Sequence, residues 1–196
     1  MKSYFVTLGF NEAFLLRLLA ETNATQEDRL VVVVPRPIAE GTKSALENVR
    51  AQAVRLKYPL PEANEIGLST FESALFDMVS LLRPLPEPVI TDLSMGMRMV
   101  DALILLSLII TAKQFRVYLR EEGTGRTLSF SNQDLWALLD DYTTEDLKLL
   151  TLLSQSSMRL EEVARAMGKS EKTVVNRASE LKKLGLIRVS GKDRQL

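Results

Sequence analysis

The sequence predicts an α/β fold in two parts: a mostly parallel sheet with covering helices over residues 1–142, then a small helical unit closed by a hairpin over residues 143–196. Three observations carry this. Strand-like and helix-like segments alternate through the first part, which implies parallel pairing through right-handed crossovers. Residues 30–34, Leu-Val-Val-Val-Val, form the unbroken apolar run of a strand covered on both faces. Charge also divides along the chain. Residues 1–142 hold 14 Lys/Arg against 18 Asp/Glu, a net of −4, whereas residues 143–196 hold 11 against 7, a net of +4. A basic module behind an acidic one points to two domains with different partners.

The elements follow in order. Residues 3–8 read as a strand, and after the turn Gly9-Phe10-Asn11-Glu12 a helix covers 13–21. Pro35 and Pro37 end the second strand. Thr42 is the expected cap of a helix running to Leu56, and residues 64–68 make a weak third strand. Ser69 or Thr70 caps a helix ending near Leu82; a strand at 88–93 and an apolar helix from Gly96 to about Ala112 come next. Residues 115–120 are a clear strand, expected to pair with 127–130 as an antiparallel edge. Asn132 is the expected cap of a last helix, 133–139. The sum is a Rossmann-like sheet.

Composition excludes several chemistries. The chain has no Cys and no His, so disulfides, thiolate or imidazole metal sites, Cys nucleophiles and Ser-His-Asp triads are impossible within it. No metal site and no catalytic residue is predicted. The longest apolar run, 102–110, is broken by Ser107 and is far short of the roughly 20 residues that span a bilayer. No signal-peptide pattern opens the sequence. These features predict a soluble cytoplasmic protein without a membrane partner.

A doubly wound sheet binds ligands beyond the carboxyl ends of its strands, where strand order reverses, commonly between the first and fourth strands. The two most unusual loops follow those strands. One carries Leu8, Gly9, Phe10 and Asn11; the other carries Thr91, Ser94, Met95, Gly96, Met97 and Arg98. Each has a glycine that allows close backbone approach, and each opens a helix whose N-terminal amides attract anions. Arg98 adds a planar donor fork suited to phosphate, and Ser94 and Asn11 can bond ribose or base edges. The same glycines also serve as simple strand-to-helix turns, and Ser94 as an N-cap. The dinucleotide fingerprint and the Walker A motif are both missing.

In the second part, Thr143 or Thr144 can cap a helix with Glu145 and Asp146 in its first turn. Leu160, Val163, Ala164 and Met167 stripe a second helix. After the turn Gly168-Lys169-Ser170, a third helix buries Val174, Ala178, Leu181 and Leu184 and stops at Gly185. Residues 186–189 read as a strand, and 190–194 as a basic turn. This is the order of a winged helix-turn-helix, whose third helix enters the major groove of duplex DNA. Lys169, Ser170, Lys172, Thr173, Asn176, Arg177 and Lys183 lie on or beside its outward face, and Lys192 and Arg194 on the wing. Arg and Asn read guanine and adenine edges; Lys and Thr hold phosphates. A helical protein-interaction unit with a solvated basic face has the same pattern.

Residues 1–12, residues 91–99 and Lys169-Ser170-Glu171-Lys172-Thr173 together resemble the CRISPR-associated CARF–winged-helix transcription regulators of archaea, over essentially the whole chain. The resemblance implies a homodimer whose Rossmann-like domains pair two crevices across a two-fold axis. It implies a cyclic oligoadenylate ligand, cyclic tetra-adenylate foremost, no resident cofactor, and regulation of CRISPR adaptation or defence genes. A four-fold cyclic nucleotide contains a two-fold axis, so it can meet the same residues from both chains. The wing departs from the family pattern: Leu196 follows its tip so closely that a short returning strand is expected. Two other functions fit the same residues, a CARF-type ring nuclease and a repressor sensing some other metabolite.

Overall fold

The computed structural model describes residues 1–121 and 125–188. They form two compact units, residues 1–132 and residues 133–196 within that range. The first contains β1 (Ser3–Thr7), α1 (Ala13–Glu21), β2 (Arg29–Pro35), α2 (Glu40–Leu56), β3 (Pro61–Ile66), α3 (Phe71–Leu82), β4 (Val89–Asp92), α4 (Arg98–Thr111), β5 (Phe115–Arg120) and β6 (Thr127–Ser131). The sheet order is β3-β2-β1-β4-β5-β6. All neighbours are parallel except β5 and β6, which pair antiparallel with Val117 opposite Phe130.

The β2 run is buried throughout, because helices cover both faces of the sheet. Tyr4, Val6, Leu30, Val32 and Val34 meet Leu15, Leu18 and Leu19 of α1 and Leu46 and Val49 of α2 in one core. Alternation sends Phe5, Val31 and Val33 to the opposite face, where α4 packs against β1 and β2 beside α3. At roughly 25 cal/mol per Å² of apolar surface removed from water, these two layers supply most of the unit's stability.

Several boundaries differ from the sequence-based expectation. β3 begins at Pro61 and ends at Ile66; it is an edge strand with polar, exposed positions, so no apolar period marks it, and an edge tolerates proline at its start. α2 is capped at Ala39, and Thr42 is buried in its first turn instead. Thr70 does cap α3, accepting from the Ser73 amide at 3.3 Å. α4 starts at Arg98, two residues later than expected, because Gly96 is held in the preceding loop. Asn132 is the first residue of α5 (Asn132–Leu139) rather than the one before it; its Oδ1 accepts from the Phe115 amide at 3.3 Å and ties the end of β6 to β5.

The second unit contains α6 (Thr144–Gln155), α7 (Leu160–Met167) and α8 (Glu171–Lys183). Thr143 caps α6 in a reciprocal box with Asp146. Gly168 and Gly185, at φ +65° and +78°, turn the chain out of α7 and past α8. Leu149, Leu160, Val163, Ala164, Val174, Ala178, Leu181 and Ile187 form the core. Leu184, expected in that stripe, is only half-buried. Residues 186–188 make no strand; the rest of the expected wing, with Lys192 and Arg194, lies outside the described residues. Among the described residues no helix is long and apolar enough to cross a membrane.

Candidate functional site

β1 and β4 are neighbours, and their helices α1 and α4 leave toward opposite faces of the sheet. Their carboxyl ends therefore frame the crevice of a doubly wound fold. The two loops that cross it are sealed to each other. The Gly9 amide donates to the Met95 carbonyl at 2.9 Å, and a Cβ on Gly9 would come within 2.7 Å of that oxygen. A Cβ on Gly96 would fall inside the Thr7 side chain. Gly9 is required by loop-on-loop packing, and Gly96 by the packing of its loop on the end of β1.

The remaining predicted residues sort by burial. Leu8 and Met95 belong to the core, and Thr91 is fully buried, so these three shape the crevice from behind. Asn11 accepts from the Ala13 amide at 2.8 Å, which starts α1 and leaves its amide nitrogen as a donor. Ser94 accepts from the Arg120 amide at 2.6 Å and keeps its hydroxyl proton to give. Phe10 and Met97 are exposed (76% and 47%); the Phe10 ring lies against Gly41 of α2. Arg98 is exposed at the first position of α4 and has no ion-pair partner among the described residues. Its charge adds to the free amides of the α4 first turn.

Sequence reasoning missed the charged support behind the second loop. Asp92, the last residue of β4, is wholly buried; its Oδ1 accepts from the Ser94 amide at 3.0 Å and its Oδ2 meets Arg120 Nε at 2.5 Å. Arg120 also reaches Glu21 of α1 at 2.8 Å. Arg120 and Arg17 hold the Glu21 carboxyl below its usual range. Asp101, in the first turn of α4, is buried as well, and burial together with the nearby Asp92 charge pushes its carboxyl up to about 7. A charge near the carboxyl end of a predicted strand was the available signal for Asp92 and Arg120.

In the second unit, Lys172, Thr173, Asn176 and Lys183 are exposed along α8. Ser170 caps that helix through the Thr173 amide. Arg177, expected to point outward, is drawn against α6 instead. Its Nη1 lies 3.0 Å from both Asp146 oxygens and 2.9 Å from the Thr143 hydroxyl, and its Nε 3.3 Å from Glu145. Lys169 pairs with Glu145 at 2.5 Å. The acidic first turn of α6 thus neutralises two of the predicted basic contacts. Among the described residues no group of three acidic side chains could hold a metal ion.

Residues 2–131 match the family described as the Csa3 CRISPR-associated Rossmann-like domain. A Saccharolobus solfataricus protein, Csa3, is 50% identical over 198 residues, spanning 100% of this chain and 84% of that one; its name attaches it to a CRISPR locus and gives DNA binding as its expected role. Two solved structures align with the chain. Csm6 of Enterococcus italicus, bound to cyclic hexa-2′-fluoro-hexa-dAMP, aligns at 13% identity and TM-score 0.52, over 94% of this chain and 52% of its own. Can2 from Sulfobacillus thermosulfidooxidans, in complex with cyclic tetra-adenylate, aligns at 12% identity and TM-score 0.48, over 79% and 46%. This chain spans about half the length of either.

Proposed function

The chain belongs to the Csa3 family of CRISPR-associated Rossmann-like proteins, and from that premise we propose that it is a ligand-responsive, DNA-binding regulator of a CRISPR locus. The crevice between β1 and β4 takes a cyclic oligoadenylate, with cyclic tetra-adenylate as the first candidate, and the second unit is a winged helix-turn-helix that binds promoter DNA. One observation carries the ligand reading. Two glycine-sealed loops present the N-terminus of α4 and an Arg98 that has no ion-pair partner among the described residues, at the point where strand order reverses. The cyclic nucleotide held by Csm6 supports the ligand class. A ring with two-fold symmetry asks for two crevices, hence a homodimer. Exposed apolar side chains on α3 and α4 (Phe71, Met99, Leu106 and Ile110) support pairing through the first unit.

Phosphates of the ring lie on the α4 amides and Arg98, while Ser94 and Asn11 offer donors to ribose or base. Lys172, Thr173, Asn176 and Lys183 face DNA. Arg177 braces α8 against α6 and orients that face. Calorimetry with cyclic tetra-adenylate tests the ligand site: Arg98→Ala loses charge-assisted bonds of about 1.5–3 kcal/mol each, and unchanged binding refutes the assignment. Promoter affinity at zero and saturating ligand tests regulation, with an expected coupling of roughly 5–150-fold. Lys172→Ala lowers the salt slope of DNA binding by about one unit. Unchanged DNA affinity together with linear cleavage products would instead indicate a ring nuclease.

A further inference from the structure

The crevice leaves one titratable group unused. Among the described residues, Asp101 Oδ1 is fully buried without a hydrogen-bond partner, and so are Thr7 Oγ1 and Thr91 Oγ1. The β1–β4 register puts Thr7 and Thr91 on the same sheet face, the one α4 covers. Asp101 stands on the buried side of α4, with Val100, Ile104 and Leu108. It lies one turn behind Arg98, about 4.5 Å along the helix axis.

Charges around it are few. Asp92 of β4 is the charge felt by Asp101, and it is already engaged by Arg120 and Ser94. Glu21 of α1 lies beyond Arg120. Glu72 and Asp77 of α3 are exposed or half-exposed, β1 and β2 bring no charged side chain other than Arg29 at the far end of the sheet, and Arg98 on α4 itself is exposed. No cation contacts Asp101 among the described residues. A carboxylate there has burial and a like charge against it, and among the described residues its Oδ1 accepts no hydrogen bond and no counter-ion touches it.

We infer that Asp101 is a proton-linked residue of the crevice: an anionic ligand seated on the first turn of α4 is bound together with one proton, taken from solvent onto the Asp101 carboxyl. This rests on the ligand reading above. A phosphate at the helix N-terminus adds negative charge one turn from Asp101 and shifts it further toward the neutral form. By linkage, the neutral form then binds the ligand more tightly than the ionised form does. The balance is simple: protein with ionised Asp101, ligand and one proton on one side, the complex with neutral Asp101 on the other. The chain has no His or Cys, and phosphodiesters and adenine do not titrate near neutrality.

The test is titration calorimetry of the full-length protein with cyclic tetra-adenylate in HEPES, MOPS and Tris at about pH 7.5. The observed enthalpy should change with the ionisation enthalpy of the buffer, with a slope of about half to one proton taken up. From about pH 7 to about pH 8.5 the Kd should rise, by at most tenfold per pH unit. Asp101→Asn, a neutral isostere, should show no buffer slope and a flat Kd near the low-pH wild-type value. Binding by wild type with zero slope overturns this inference alone; a slope that persists in Asp101→Asn overturns the assignment to Asp101. If that variant does not fold, the wild-type slope decides. Absence of binding in every buffer overturns the crevice reading, and this inference with it.

Discussion

Replacing Arg120 by Met should be among the most damaging single changes in the first unit. Arg120 and Asp92 side chains are 1% and 0% exposed, and their Nε–Oδ2 distance is 2.5 Å. Met keeps much of the stem volume but removes the charge and leaves Asp92 ionised in the core, with only the Ser94 amide in contact. Uncompensated buried charges of this kind cost about 3–5 kcal/mol. Glu21 loses less, because it is 39% exposed and keeps Arg17 at 2.7 Å. Asp92→Asn should cost less than Arg120→Met, since Arg120 still reaches Glu21 and the Asn carbonyl still accepts from Ser94. Asp92→Asn in the Arg120→Met background removes the stranded charge, so the double variant should regain about 2 kcal/mol relative to the sum of the singles. Urea unfolding of the four proteins, followed by far-ultraviolet circular dichroism, measures this. Additive losses, or a loss below about 1 kcal/mol for Arg120→Met, would refute the claim that the pair is a buried, mutually dependent support of the Ser94 loop.

Three further outcomes follow from the geometry. Gly96→Ala places a methyl inside the Thr7 side chain; overpacking costs about 1–3 kcal/mol, and the displaced loop should weaken cyclic nucleotide binding in calorimetry, whereas Gly67→Ala, with open space around it, should leave binding untouched. Thr143→Ala removes the α6 cap, worth about 1 kcal/mol in thermal melts at neutral pH. Burial pushes Asp146 up, but the Thr143 hydroxyl and amide and Arg177 outweigh it and hold the carboxyl below its usual range; stability from a depressed carboxyl exists above the unfolded pKa and is lost as pH falls through the folded one, so the gap between wild type and variant should narrow below about pH 4. Asp101 has the opposite sign. With its carboxyl raised from 3.8 to about 7, the folded state keeps a proton that the unfolded chain releases, and stability falls by about 2 kcal/mol between pH 5 and pH 7; Asp101→Asn should flatten that slope in denaturant titrations.

The sequence by itself determined the layout of this protein. The β-branched run of β2, the alternation of strand and helix, and the turn-bound glycines at 168 and 185 are local signals, and each element they predict is present. Together with the common doubly wound strand order, which sets β1 beside β4, they placed the crevice. Edge strand β3 was misplaced because its exposed, polar residues carry no apolar period. Tertiary structure decided what the crevice residues do. The spacing that puts Gly9 and Gly96 in two loops does not reveal that the loops pack on each other, because that contact joins residues far apart in sequence. The same holds for the Asp92–Arg120–Glu21 support and for Asp101, whose chemistry depends on burial and on neighbours from other elements. Arg177 is the clearest case. Helical periodicity puts it on the outward face of α8, and only the approach of Asp146 and Glu145 from α6 draws it in, because ion-pair partners are chosen by distance in space rather than by period along a helix.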